Sequence, residues 1–401
     1  MKLKVCLFLF WTSSQFCLGY QALVTVPVAD LLSTPASKLC LEIPVIEYYQ
    51  QIPLAATDAR KDHNSCPRQH QALFHEIVEV IEEGLQEAKV KIKNAYYLNL
   101  SNGQKFHNFW TLKSNLTPLS KIKYAQNFLP VPIDFAKPGA VNSPNTITLI
   151  RPYQSWSVGT RFAINPEQTS KHHYLAYCYQ ASTNSDEQDF IEIKIPKRFA
   201  RLSEIDLSSE QLRREFVKLV ELWTAPHRRL AIPYVWGGCS YIQRLPMTTF
   251  EIIQRPGCQK ELSYYSVPSN HSTIQTGFDC SGLTLRAAQA AGLPYFYKNT
   301  ATLAHELIEI SEADSVQPGD LIWIQGHVII ITDPSRGLCI EARDYGHGYG
   351  CVQQIKVNRL FKETANIAQL KEAFLSKKNL SRLDQAGQVV GTYQVKLLKL
   401  I

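Results

Sequence analysis

Apolar and polar positions alternate with the period of a β-strand through most of the first half of the chain, and helical spacing takes over only after about residue 203. Val24, Val26 and Val28 alternate with Thr25 and Pro27. Ile77, Val78, Val80 and Ile81 then lead through Glu82, Glu83 and Gly84 into Ala88, Val90 and Ile92, a strand–turn–strand pattern. Residues 31 to 72, with prolines and polar side chains, predict loop. A second β-rich block runs from Thr146 to about Pro196 as TITLI, RPYQSW, GTRFAI, YLAYCYQ and FIEIKI. Pro130, Pro132, Pro138, Gly139 and Pro144 mark the stretch between the blocks as a linker. Short strands at this spacing predict two small all-β barrels or sandwiches, over residues 23–120 and 145–202.

The third region changes period. Ser208 and Gln211 form a capping-box pair, and Leu212, Phe216, Leu219, Val220 and Trp223 share one helical face. PYVWGGCS at 233–240 ends an apolar segment on paired glycines, which suits a sharp turn or close backbone packing. Residues 241–275 lack periodicity and read as a surface excursion or a lid. GFDCSGL at 277–283 opens a helix, because Leu283, Ala287, Ala288, Ala290 and Ala291 follow at helical spacing and Gly292 with Pro294 stops it. QPGDLIWIQGHVIIIT at 317–332 predicts a strand from Asp320 to Ile324, a tight Gln325–Gly326 turn and a strand from His327. The unbroken Val328 to Ile331 run predicts burial on both faces of that strand. The turn at 333–337 returns the chain as Leu338 to Ala342. In residues 351–401 only a helix near Ala365 to Leu375 and a strand near Val395 to Leu400 stand out. The fold class is therefore α+β.

Composition narrows the class without choosing the chemistry. At 401 residues and 45% hydrophobic, the chain is long enough for two or three domains with cores of their own. The net charge of +7 comes from scattered residues, so it describes solubility and does not predict nucleic-acid binding. Lys2 and Lys4 before an apolar run from Val5 to Trp11, then small and polar residues to Gly19, predict a signal peptide over about residues 1–20. That run is too short to span a bilayer, and no later stretch predicts stable membrane insertion. The expected location is periplasmic or extracellular. Of 10 cysteines, eight follow this segment, so one free catalytic thiol would leave an odd number. No cluster of His and Cys has metal-ligand spacing, and neither a metal nor an organic cofactor is expected.

The candidate chemistry centres on Cys280. In the first turn of a helix, unpaired backbone N–H groups and the positive dipole end favour a thiolate, the reactive form. The plainer reading is a buried structural cysteine. His327, at the start of its strand, would activate the thiol as a base, or else be a hydrogen-bonded core histidine. If Thr332 pairs with Leu338, Ile329 faces Glu341, and His327 lies diagonal to Glu341 on the same sheet face. Glu341 is thus the candidate orienter of the ring, with His347 in the GHGYG run as the alternative and a solvated strand-end glutamate as the plain reading. Asp279 is suited both to capping the helix and to anchoring a peptide amine.

PYVWGG, GFDCSGL, QPGDLIW and GHVIIIT, in this order, resemble the NlpC family of papain-like cysteine peptidases, which hydrolyse peptidoglycan stem peptides. The likeness covers roughly residues 203–350, with 351–401 as an extension. It implies a papain-like catalytic domain, a helix bearing the cysteine packed on an antiparallel sheet, with Cys280 as nucleophile and His327 as base. The family's third polar residue is usually histidine, sometimes asparagine or glutamine, where this chain has Glu341. Upstream, VTVPVADLLSTPAS followed by HEIVEVIEEG is similar to the first of two bacterial SH3-like modules in γ-D-glutamyl-L-diamino acid endopeptidases. The resemblance implies that Tyr234, Asp279 and Ser281 contact the free N-terminal L-Ala of a peptidoglycan or muropeptide substrate. It implies cleavage of the bond from γ-D-glutamate to diaminopimelate or lysine. An N-acetylmuramoyl-L-alanine amidase and a catalytically decayed wall-binding protein are the alternatives.

Overall fold

The computed structural model describes residues 19–39, 43–50, 52, 66–181, 189–203, 207–224, 230–243, 276–344 and 350–401, with short backbone pieces at 245–246, 251–252 and 263–264. Residues 1–18 of the predicted signal peptide, most of the predicted lid and His347 lie outside the described residues.

Seven strands form the first sheet: β1 (Tyr20–Val24), β2 (Val28–Leu32), β3 (Arg68–Leu73), β4 (Ile77–Glu83), β5 (Glu87–Lys91), β6 (Asn108–Leu112) and β7 (Leu116–Pro118). Their order is β3-β2-β6-β5-β4-β1-β7, so the pairing has two ends and does not close on itself among the described residues. The all-β character expected here holds, and the sheet is open where a barrel or sandwich was expected. The physical reason lies in the packing: Ala22, Val24, Ala29, Leu31, Val80, Val90 and Phe109 belong to the same buried cluster as the helices of the third region, so the sheet buries its face against them. The Val24–Val26–Val28 alternation is two strands, not one, broken around Pro27, which has no N–H for a ladder. The 31–72 stretch predicted as loop carries the end of β2 and most of β3.

The second block contributes β8 (Thr146–Leu149), β9 (Arg161–Ala163), β10 (His173–Tyr179), β11 (Phe190–Pro196) and β12 (Ala200–Leu202), paired as β9-β8-β12 and β10-β11. RPYQSW is not a strand; Gln154 has φ 54° and Tyr153 bridges back to Trp156. Trp156 closes a core with Ile147, Leu149 and Phe162, into which Phe74 of the first block inserts. The predicted linker is also tied down: Arg161 donates to the carbonyls of Val131 (2.7 Å) and Ala140 (3.2 Å), and Val141 is buried against Tyr96 and Phe296.

The third region begins with helix α1 (Ser209–Thr224), started by the reciprocal Ser208 and Gln211 bonds. Strands β13 (Cys239–Ser240) and β14 (Gly277–Phe278) pair before helix α2 (Cys280–Ala290), and helix α3 (Thr300–Glu306) follows. Next come β15 (Leu321–Ile324), β16 (His327–Asp333), β17 (Leu338–Arg343), β18 (Cys351–Lys356), helix α4 (Ile367–Leu375), β19 (Asn379–Leu383), β20 (Val389–Gln394) and β21 (Lys396–Leu398). An antiparallel sheet in the order β18-β17-β16-β15-β21 puts the His327 strand in the middle. Alternation explains why that strand reads as continuously apolar. Val328 and Ile330 join the cluster around α1 and α2, whereas Ile329 and Ile331 join a second cluster with Phe361, Ile367 and Leu370 on the other face. Residues 351–401 therefore supply two of the five strands and most of the second cluster.

Candidate active site

Helix α2 is all buried, from Cys280 to Ala290, and its start is fixed by Asp279, whose extended backbone and side-chain Oδ1 cap the Gly282 N–H. The close fit continues in the backbone: a Cβ on Gly282 would lie 1.9 Å from the Gly238 carbonyl oxygen, so the paired glycines and the helix glycine exist to let two backbones touch. Asp279 N–H also donates to the Gly238 oxygen (3.0 Å). Trp223 of α1 stacks on Phe278 at 5.3 Å between ring centroids, holding the entry strand from behind.

These supports bring the Cys280 sulfur beside His327, near enough to act on the charge of its ring. The Gln325–Gly326 turn, with Gly326 at φ 82°, delivers His327 to the strand start, and its side chain is 17% exposed. Ile330 opposite Ile340 and Ile331 opposite Cys339 is the register predicted from the sequence; a bulge then sets Asp333, in place of Thr332, against Leu338. In this register His327 Nε2 lies 2.8 Å from Glu341 Oε2. Nε2 carries the proton toward the carboxylate, an oxygen that can only accept.

Glu341 is fully buried and is held from two further sides. Gln353 Nε2 on β18 donates to Oε1 at 3.0 Å, and Arg382 on β19 donates to Oε2 while its guanidinium lies 5.6 Å from the Phe361 ring centre. Burial would raise the Glu341 pKa, but Arg382 and then His327 outweigh it and hold the carboxyl well below the usual range. For His327, burial opposes the charged ring; the Cys280 sulfur and the Glu341 carboxylate overcome this and push it up to about 9. The ring is thus an imidazolium at neutral pH, set beside the Cys280 sulfur.

Asp279, Ser281 and Tyr234 gather on the helix-start side. Ser281 Oγ donates to Asp279 Oδ1 at 2.9 Å, and Lys298 Nζ donates to Asp279 Oδ2 at 2.6 Å and to Ser281 Oγ at 3.4 Å. Tyr234 is 5% exposed, and its hydroxyl is raised well above 10 by burial and then by negative charge on Cys280 and Asp279. All five described site residues proposed beside Cys280 from the sequence thus lie in one neighbourhood. Among the described residues no group of three or more His, Cys, Asp or Glu is placed to hold a metal ion, and no helix is long and apolar enough to cross a membrane. Cys178, Cys239, Cys280, Cys339 and Cys351 are free and buried.

Compared with known proteins, the chain matches no family model, and no curated protein matches it by sequence. Solved structures do match. An NlpC/P60 family protein from Bacillus cereus superposes with a TM-score of 0.51 at 16% identity, over 84% of this chain and 94% of that one. The fold is of the NlpC/P60 type. NlpC2 of Trichomonas vaginalis aligns with a TM-score of 0.30 at 13% identity, over 85% and 93% of the two chains. The peptidoglycan hydrolase RipB of Mycobacterium tuberculosis aligns with a TM-score of 0.24 at 19% identity, over 49% and 69%.

Within this NlpC/P60-type fold, sequence reasoning missed Lys298, Gln353 and Arg382. Arg382 had a readable signal. It shares a strand face with buried Leu380, and an arginine on an inward face needs a buried carboxylate partner. Lys298 sits in YFYKNT between two helices and carries no such pattern.

Proposed function

We propose that the protein is a cysteine hydrolase of the cell wall, an endopeptidase that cuts the bond from γ-D-glutamate to diaminopimelate or lysine in peptidoglycan stem peptides. The observation that carries this reading is the His327 ring bonded to buried Glu341 at 2.8 Å and lying beside the Cys280 sulfur at the start of α2. The NlpC/P60-type fold and the four ordered motifs support the substrate class.

In the proposed reaction the Cys280 thiolate attacks the γ-carbonyl carbon, and N–H groups at the start of α2 stabilise the oxyanion. His327 gives its proton to the leaving amine as the C–N bond breaks, leaving a thioester on Cys280. Water then attacks the thioester while His327 takes its proton, which releases the acid and regenerates the thiolate. Glu341 is the orienter that keeps the ring charged and in place. In this reading the first β-sheet, whose Arg68 Nη1 approaches the Trp236 carbonyl at 3.4 Å, takes the part expected of an SH3-like module. Lys2 and Lys4 followed by the apolar run from Val5 to Trp11 support export, so we place the enzyme in the periplasm or outside the cell.

A muramoyl-L-alanine amidase with the same nucleophile is the second reading, favoured by one observation: Lys298 already neutralises Asp279, so nothing at that carboxylate demands a free substrate amine. The reduced, purified protein should be incubated with L-Ala-γ-D-Glu-diaminopimelate, a muramoyl-peptide and intact peptidoglycan, with products identified by mass spectrometry. Release of the diamino acid end supports the endopeptidase; release of L-Ala from muramoyl supports the amidase. Hydrolysis of none of the three by a protein whose Cys280→Ala variant behaves identically refutes both.

A further inference from the structure

Asp279 is the negative charge next to the proposed nucleophile, and a carboxylate beside a peptide-binding site is the natural acceptor for a substrate ammonium group. Both of its oxygens are already engaged. Oδ1 accepts from the Gly282 N–H and from Ser281 Oγ at 2.9 Å. Oδ2 accepts from Lys298 Nζ at 2.6 Å, and that ammonium also reaches Ser281 Oγ at 3.4 Å.

Lys298 is not a surface side chain that has strayed inward. It is 1% exposed, and its backbone is clamped from both directions. Its N–H donates to the Tyr96 carbonyl (3.0 Å), and the Tyr96 N–H donates to the Phe296 carbonyl (2.9 Å). Asn299 next to it accepts from the Thr302 N–H at 2.8 Å, capping α3. A buried ammonium held this way cannot leave its carboxylate without being stranded in a dry site. A second ammonium brought to the same oxygen would meet a like charge at close range.

We infer that Lys298 determines specificity: the chain's own ammonium takes the place that a substrate amine would fill at Asp279, so the site accepts peptides whose amino end is acylated and uncharged. Stem peptides still joined to glycan through their first residue are of this class; peptides with a free amino end are not. This inference rests on the Cys280 hydrolase reading and adds which substrates reach it.

The test compares wild type and Lys298→Met on L-Ala-γ-D-Glu-diaminopimelate with the amino end free or acetylated. Methionine keeps an apolar stem of similar length, and a thermal melt checks that the variant folds. Wild type is expected to favour the acetylated peptide at least tenfold in kcat/KM. Lys298→Met, with Asp279 released, should swing at least tenfold toward the free amine, mainly through KM. A wild-type preference for the free amine overturns the inference while leaving the hydrolase reading intact, and so does a preference unchanged in the variant. If Lys298→Met does not fold, the wild-type ratio alone decides. A second measurement needs no turnover: protection of Cys280 from iodoacetamide by L-Ala-D-Glu and by its N-acetyl form. If wild type cuts neither tripeptide, the endopeptidase reading falls. Protection by the acetylated dipeptide alone then still supports the inference, and equal protection by both dipeptides, or by neither, overturns it.

Discussion

Replacing Glu341 by glutamine tests the electrostatics of the site with little change of shape. The carboxylate that faces His327 Nε2 at 2.8 Å loses its charge, while an amide oxygen remains to accept the ring N–H. His327 stands at about 9 against an ordinary 6.5, which amounts to about 3 kcal/mol in favour of the imidazolium at 1.36 kcal/mol per unit. The Cys280 sulfur and Glu341 share that effect, so removing the Glu341 charge should lower the ring pKa by about one unit, the low end of what a close opposite charge produces. The assay is the pH dependence of kcat/KM together with the rate of Cys280 alkylation by iodoacetamide. Wild type should lose activity as pH rises through about 9, when the imidazolium deprotonates; Glu341→Gln should lose it about one unit lower. Stability should fall too, because Arg382, 3% exposed, loses its charged partner at a cost of about 3 kcal/mol. The pair Glu341→Gln with Arg382→Met should recover much of that stability without restoring the alkaline limb. A folded Glu341→Gln enzyme whose alkaline limb has not moved would refute the argument that this carboxylate sets the charge on His327.

Other outcomes follow from the same geometry. Cys280→Ala should fold normally and show no hydrolysis above background, as read by product chromatography. Gly282→Ala should destabilise the protein by about 1–3 kcal/mol or more in a denaturant melt, because the new methyl meets the Gly238 backbone oxygen rather than a side chain that can move. Trp223→Ala should cost about 3–5 kcal/mol, since the ring is 1% exposed, stacks on Phe278 and donates Nε1–H to the Ile150 carbonyl at 2.9 Å. Because its folded pKa is raised, the stabilisation that His327 contributes is complete below about 6.5 and lost as pH rises through about 9, so wild type should melt earlier at pH 10 than at pH 6, and His327→Gln should flatten that difference.

The elements nearest the chemistry were legible because short-range rules govern them. The helix after Cys280 announces itself through its alanines and its Gly292 stop, and the turn at Gly326 fixes which way His327 faces. The pairing that brings Glu341 to the ring follows from a period of two and one short turn. What could not be read depends on contacts between distant parts of the chain. An alternating pattern cannot say whether a sheet curls on itself or lies against a helix far downstream, and the first seven strands do the latter. Likewise, TITLI forms a strand whereas RPYQSW, with its two aromatic residues, is turned back by Gln154 at positive φ. Lys298 reached Asp279 through a clamp on Tyr96, a partner from the other end of the chain, and no local spacing foretells such a meeting.

The five-stranded sheet has a consequence for biosynthesis. Its edge strand β21 pairs with β15, the neighbour of the His327 strand, and Arg382 braces Glu341 from β19. A ribosome releases Cys280 and His327 long before either of those pieces, and a nascent chain folds from its first residues onward. Glu341 therefore waits for its Arg382 counter-charge until β19 has docked, after the strand that carries His327 has been made.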